Sequence, residues 1–267
     1  MYDQYNRQIN YLRVSVTDRC NLRCSYCMPQ AGIKLLRHED ILSLEEIYDL
    51  VKIAAEEFGF TKVRLTGGEP LLRKDIMALV NRLGAIKAIA DYTLTTNGIL
   101  LTQYARELKA AGIKRINISL DTLDQGRYAR LTCGGTIARV LDGIEAAIDA
   151  GFNPIKINCV VEDNHQEPDA QAVAGFAHER NLSVRYIKKM DLGRGVFSVV
   201  NGGSGGDCCK CNRLRLSSDG KLYPCLFNNL YFSVRELGAR EALRQAIAAK
   251  PLKGESSKHN AFYRLGG

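Results

Sequence analysis

Leu12-Arg-Val-Ser-Val-Thr-Asp-Arg-Cys-Asn-Leu-Arg-Cys-Ser-Tyr-Cys-Met28 begins as a strand and ends as a loop of thiols. Within residues 11–17 the apolar Leu12, Val14 and Val16 alternate with Arg13, Ser15 and Thr17, so one face of the strand is polar. The same alternation recurs along the chain: Lys62, Arg64 and Thr66; Thr93 and Thr95; Arg115, Asn117, Ser119 and Asp121; Lys156 and Asn158. Amphipathic stretches at 43–58, 73–83, 102–111, 136–150 and 170–180 separate these strands, and a sixth strand is expected at 183–187. Strands alternating with helices imply an α/β protein with a parallel sheet. Helices after each strand cover the outside, so the polar face lines a lumen. Six units are fewer than a closed barrel of eight, which predicts an open, curved, TIM-like (β/α)6 partial barrel with its chemistry at the C-terminal strand ends.

The helix at 43–58 is the most sharply marked. Ser43 and Glu46 form a capping box, Ile47, Leu50, Val51, Ala54, Ala55 and Phe58 share one stripe, and Gly59 stops it.

With 267 residues, 46% hydrophobic and 25% charged, the chain can bury one large core. No apolar run reaches the roughly 18 residues that a membrane span requires, and residues 1–10 are polar, without a signal-peptide core. The cytoplasm is the expected compartment, with no membrane partner. Seven of nine cysteines fall in two short segments, which favours metal or cluster ligation over a disulfide framework. Cys133 and Cys159 read as a loop thiol and a small strand filler, and the four histidines show no ligand-like spacing. A net charge of +8 suits an anionic partner, be it a nucleic acid, an anionic membrane face or a phosphorylated small molecule.

Three segments are expected: a barrel over 1–193, a Gly/Ser-rich linker over 194–207 built round Asn201-Gly-Gly-Ser-Gly-Gly206, and a C-terminal extension over 208–267. The extension holds Cys208, Cys211 and Cys225, with Cys209 adjacent. Ser217-Ser218-Asp219-Gly220 reads as a hairpin turn, and pairing Leu216 with Lys221 returns Cys225 roughly opposite Cys211. Arg213 and Arg215 leave one face of that strand, an arrangement that invites an oligophosphate. An amphipathic helix near 233–248 and a Gly-Gly tail follow.

Cys20-x3-Cys24-x2-Cys27 lacks the fourth ligand of a structural zinc site. A cubane cluster held by three thiolates leaves one iron open to a small molecule. The second trio suits zinc or a cluster equally well on spacing alone. With Tyr26 before its third cysteine, the first trio resembles the radical S-adenosylmethionine superfamily, in which the cofactor chelates the open iron and is cleaved reductively to a radical that abstracts a substrate hydrogen. Gly67-Gly68-Glu69-Pro70, one unit later, resembles the superfamily's cradle for the methionyl amine, and paired glycines permit close backbone approach to a ligand.

Together with Lys62-Val-Arg-Leu-Thr66, Leu94-Thr-Thr-Asn-Gly98, Asn117-Ile-Ser-Leu-Asp121, Cys211-Asn-Arg-Leu-Arg-Leu216 and the final Gly-Gly, these motifs resemble the GTP 3′,8-cyclase (MoaA) family, which opens molybdenum-cofactor biosynthesis. The resemblance implies two [4Fe-4S] clusters, on Cys20, Cys24 and Cys27 and on Cys208, Cys211 and Cys225, with S-adenosylmethionine as cofactor. It implies cofactor contacts at Tyr26, Gly68, Ser119 and Met190, and GTP contacts at Arg13, Arg64, Thr95, Lys156, Arg185, Arg213 and Arg215. It further implies a flavodoxin or ferredoxin as electron donor, a cyclic pyranopterin monophosphate synthase downstream, and admits a homodimer. The chain departs from the family in the short stretch before the second trio and in Lys188-Lys189, which stands where an acidic–aromatic pair is expected. Two other readings stay open: a radical enzyme of the same superfamily acting on a peptide or RNA, and a non-enzymatic iron–sulfur or zinc module that holds nucleic acid.

Overall fold

The computed structural model describes residues 1–28, 33–203, 205–257 and 262–266. Six parallel strands run in the predicted order: β1 (Tyr11–Ser15), β2 (Lys62–Thr66), β3 (Asp91–Thr96), β4 (Arg115–Ser119), β5 (Ile155–Val161) and β6 (Ser183–Lys188). Between them lie α1 (Leu44–Glu56), α2 (Ile76–Gly84), α3 (Leu101–Ala110), α4 (Gln125–Thr132), α5 (Ile137–Asp149) and α6 (Pro168–Glu179). The Ser43 hydroxyl accepts from Glu46 N while the Glu46 carboxylate accepts from Ser43 N, so the capping box forms as read. The helix ends before Gly59, whose φ of +74° turns the chain away.

One helix escapes the periodic reading. α4 is short, mostly polar and starts on Asp124, whose carboxylate accepts from Arg127 N. It ends at Cys133 in the left-handed region, φ +55°.

The C-terminal segment does not stand apart from the barrel. β7 (Arg213–Leu216) pairs in parallel with the free edge of β1, Tyr11 opposite Arg213 and Arg13 opposite Arg215. β8 (Lys221–Tyr223) and β9 (Phe232–Ser233) then extend the same sheet antiparallel, giving the order β6-β5-β4-β3-β2-β1-β7-β8-β9. In the hairpin Leu216 faces Leu222 rather than Lys221. Three residues, Ser218 to Gly220, make the turn: Ser217 N donates to the Lys221 carbonyl, and Gly220 takes the left-handed position at φ +81°. The helix expected near 233–248 is two pieces, α7 (Val234–Leu237) and α8 (Ala239–Ala248), broken at Gly238, φ +77°. A last turn, α9 (Phe262–Leu265), follows.

The apolar strand positions, among them Leu12, Val14, Val63, Leu65, Leu94, Ile116, Ile118 and Ile157, pack against the helices in one continuous core. Register carries the polar positions inward in rows: Arg215, Arg13, Arg64, Thr93 and Arg115 stand side by side across five strands. The sheet curves enough for Arg185 on β6 and Arg213 on β7 to line one cavity, so the polar face encloses a lumen.

Asn201 exchanges two backbone hydrogen bonds with Tyr186, adding a bridge to the outer edge of β6. Ser204 of the glycine-rich stretch and Gly267 of the Gly-Gly tail lie outside the described residues. Among the described residues, no helix is long and apolar enough to cross a membrane.

Candidate active site

Two chambers share the lumen and meet at Asn158, Ile187 and Met190, which line both. The first, about 180 Å³, opens at the C-terminal strand ends and is lined by Cys20, Cys24, Cys27, Tyr26, Gly68, Thr95 and Ser119. The second, about 390 Å³, lies toward the N-terminal strand ends and is lined by Arg13, Arg64, Arg115, Arg185, Arg213, Arg215, Cys208, Cys211 and Cys225. β7 thus brings the second trio in at the mouth opposite the C-terminal strand ends.

The thiol loop is held from three sides. From β2, Gly68 N donates to Thr17 O and Glu69 N to Arg19 O, each at 2.8 Å. Below it, Arg23 N and Ser25 N donate to the carbonyls of Thr132 and Leu131 at the end of α4. From β4, the Asp121 carboxylate accepts from the Tyr26 hydroxyl at 2.7 Å and from Val160 N at 2.8 Å. The two glycines do allow close approach, but the approaching backbone is the chain's own. A Cβ on Gly67 would stand 2.7 Å from Thr17 O, and one on Gly68 would strike the Arg19 carbonyl.

Glu69 is fully buried, and desolvation lifts its carboxyl to about 7 despite hydrogen bonds from Asn97 N, Thr96 Oγ1 and Leu71 N. Asn97 continues the network, its amide reaching Cys20 Sγ at 3.9 Å and Asn21 Oδ1 at 2.7 Å. Nothing in the sequence singles out Glu69 or Asn97 individually, since each stands inside a longer motif, Gly67-Gly68-Glu69-Pro70 or Leu94-Thr-Thr-Asn-Gly98.

Cys20, Cys24, Cys27, Cys208, Cys211 and Cys225 are all free thiols, each half-buried. Burial and the nearness of Cys20 raise Cys27 to about 12, and burial with the charges of Cys27 and Asp121 raises Cys24 further. Neutral thiols massed this way become ligands once a metal displaces their protons. Among the described residues no three Cys, His, Asp or Glu side chains converge on a point fit for a single metal ion. The first trio is set round a chamber that also holds glycine backbone and Ser119, a lining that suits a cluster with a small polar molecule on it.

In the second chamber cations face one another. Arg13 and Arg64 are 7% exposed and Arg215 9%. Burial first, then neighbouring guanidiniums, pushes Arg185 and Arg215 down to about 10, which leaves both charged at neutral pH. Asp91, ion-paired with Arg115 at 2.6 Å, is the carboxylate of the strand ends here. Arg115 Nε and Arg185 Nε are buried without a hydrogen-bond partner among the described residues. Unsatisfied buried guanidinium donors are costly and call for an anion.

The predicted substrate residues divide. Arg13, Arg64, Arg185, Arg213 and Arg215 line the second chamber, whereas Thr95 lines the first. Lys156 lines neither, although burial and the charges of Arg185, Arg115 and Arg64 depress its amine. Arg215 is partly engaged already, donating to Gly266 O at 2.8 Å and Leu265 O at 3.4 Å, which draws the buried end of the tail into the barrel. Arg115 joins the chamber although the sequence marked it only as a lumen position. Among the predicted cofactor residues, Tyr26, Gly68 and Ser119 line the first chamber and Met190 stands at the neck.

Fold and site together define a radical S-adenosylmethionine protein that carries an iron–sulfur cluster. Residues 14–177 match the family model of the Radical SAM superfamily. The chain is 41% identical over 306 aligned residues to the GTP 3′,8-cyclase of Pelotomaculum thermopropionicum, covering 94% of each protein. It is 39% identical to the GTP 3′,8-cyclase of Moorella thermoacetica, covering 97% of this chain and 95% of that one. Among solved structures, Streptococcus suis SuiB bound to S-adenosylmethionine superposes with a TM-score of 0.63 at 17% identity, covering 94% of this chain and 66% of that one. Native anSMEcpe with bound AdoMet gives 0.65 at 18% identity, covering 87% and 80%. These two show the shared fold. Within the superfamily, the chain belongs to the GTP 3′,8-cyclase family. The aligned length of 306 exceeds its own 267 residues, so the Pelotomaculum relative carries residues that this chain lacks.

Proposed function

We propose that this chain converts GTP to 3′,8-cyclo-7,8-dihydro-GTP, the first step of molybdenum cofactor biosynthesis. The observation that carries the reading is the buried arginine chamber opening through Met190 onto the thiol chamber. When bound, the cluster and S-adenosylmethionine supply hydrogen-atom abstraction by one-electron chemistry. The chain's part is placement. Arg13, Arg64, Arg185 and Arg213, fixed on strands of one sheet, clamp the triphosphate and hold the ribose toward the neck, a proximity effect worth several kcal/mol. Thr95 and Ser119 offer hydroxyls on the thiol side, and Lys156 adds positive field behind them. The apolar Met190 and Ile187 limit water between the chambers.

A second [4Fe-4S] cluster on Cys208, Cys211 and Cys225 would hold the guanine end of the substrate. The reading carries with it a cytoplasmic setting, an electron donor of flavodoxin or ferredoxin type and a downstream cyclic pyranopterin monophosphate synthase. A chamber walled by guanidiniums suits a polyphosphate better than a peptide.

The test is anaerobic. The chain is reconstituted with iron and sulfide, its iron counted, and dithionite, S-adenosylmethionine and GTP added while 5′-deoxyadenosine and nucleotide products are followed by mass spectrometry. About eight irons per chain and a GTP-dependent cyclised product are expected. 5′-Deoxyadenosine without a nucleotide product would move the reading to another substrate.

A further inference from the structure

Lys250, just past α8, is 1% exposed, among the largest fully buried side chains of the protein. Its ammonium donates to the Arg213 carbonyl at 2.7 Å and to the Pro224 carbonyl at 2.7 Å. The first carbonyl belongs to the residue two after Cys211 and the second to the residue immediately before Cys225, so one side chain ties together the segments that carry these thiols. The Cys211 thiol also interacts with this ammonium. Arg7 braces the same turn from the N-terminal side, donating to Cys208 O at 2.7 Å and to the carbonyls of Pro251 and Leu252.

The two cations differ in one respect. Arg7 is neutralised by Asp3, whose carboxylate it meets at 2.7 Å. Lys250 has no carboxylate partner among the described residues, and a buried ammonium facing only carbonyls is expensive. What stands beside it instead is sulfur: the charges of Cys211 and Cys225 act on Lys250, and its charge acts on theirs.

We infer that Lys250 is the counter-charge of the second thiol trio, setting the reduction potential of the cluster held there. It is a positioning residue rather than a catalytic one. The inference rests on the two-cluster reading proposed above. Hydrogen bonds to ligand sulfur and local net charge set cluster potentials, and a nearby cation favours the more negative, reduced form.

The experiment uses the reconstituted full-length chain and Lys250→Met and Lys250→Gln variants. Iron is counted first, then each cluster is titrated potentiometrically with electron paramagnetic resonance as the readout. A Cys20→Ala chain serves only to assign the signals. In Lys250→Met the reduced-to-oxidised ratio of the second cluster at the parent's midpoint should fall about tenfold, a shift of about 59 mV for one electron. The first cluster should keep its midpoint. Lys250→Gln, which keeps a donor to the two carbonyls and loses the charge, should shift the midpoint as far.

About eight irons in every chain with unchanged second-cluster midpoints overturns the inference. If Lys250→Met loses the second cluster, urea unfolding of the metal-free chains decides. Unchanged stability supports the counter-charge role, and a matching loss of stability reduces Lys250 to a structural clamp and overturns it. About four irons in the parent itself overturns the two-cluster reading on which the inference stands, an outcome distinct from the others.

Discussion

Gly68→Ala tests how the thiol loop is held. A Cβ at this position would lie 2.6 Å from the Arg19 carbonyl carbon and 3.1 Å from Asp18 O. Carbon atoms rest at about 3.5–4.0 Å, so the two backbones must part by about 1 Å. No rotamer can relieve the contact, because both sides are main chain. Separation also breaks the bonds from Gly68 N to Thr17 O and from Glu69 N to Arg19 O, both 2.8 Å. Overpacking of this kind costs about 1–3 kcal/mol and each lost hydrogen bond about 0.5–1.5 kcal/mol, so the expected loss is about 3 kcal/mol or more. The control is Gly175→Ala in α6, where an added Cβ meets nothing within 4 Å; it should gain about 0.5–1 kcal/mol. Urea unfolding of the reduced, metal-free chains, followed by circular dichroism, gives both values. A Gly68→Ala chain within about 0.5 kcal/mol of the parent would refute the reasoning, since the loop would then not be pinned to β2.

Glu69, raised to about 7 by burial, should make the metal-free chain lose stability as pH rises. Its contribution is full below the unfolded carboxyl value near 4.5 and declines through about 7, by at most about 3 kcal/mol. Glu69→Gln should flatten that part of the stability profile, whatever the amide costs at one pH. Ser43→Ala removes one half of the capping box and should cost about 1 kcal/mol in the same unfolding assay. Cys20→Ala should abolish both 5′-deoxyadenosine and nucleotide product, whereas Cys225→Ala should retain 5′-deoxyadenosine and lose the cyclised product. Equal loss of both in the second variant would contradict the division of labour between the trios.

Much of the barrel is legible because its signals are local. Alternation marks β1 to β5, a capping box and an apolar stripe mark α1, and the rule that parallel strands need covering helices turns polar alternation into a lumen. The first thiol chamber follows from adjacency, since Cys20, Cys24 and Cys27 come straight after a strand. What stays hidden depends on partners far away in sequence. α4 is short and mostly polar and meets the thiol loop through its terminal carbonyls, and backbone acceptors leave no side-chain pattern. The parallel pairing of β7 with β1 cannot be read from Arg213-Leu-Arg-Leu216, whose alternation fits an edge hairpin equally well. Lys250 looks like any helix-end lysine until β7 and the turn before Cys225 close over it. The motif glycines illustrate a third case: the need for close approach was visible, the identity of what approaches was not.

The placement of β7 also fixes an order of events during synthesis. β1 finds one neighbour in β2 early, but its other edge is met only by residues such as Asn212, which pairs with Asn10 across 202 positions. The thiol loop of Cys20 has every anchor it uses, from Thr17 to Val160, before any of the second trio leaves the ribosome. At ordinary translation rates the gap until Lys250 emerges is on the order of ten seconds. Throughout that interval the nascent barrel presents an unpaired strand edge at β1, which stays exposed until β7 arrives to cover it.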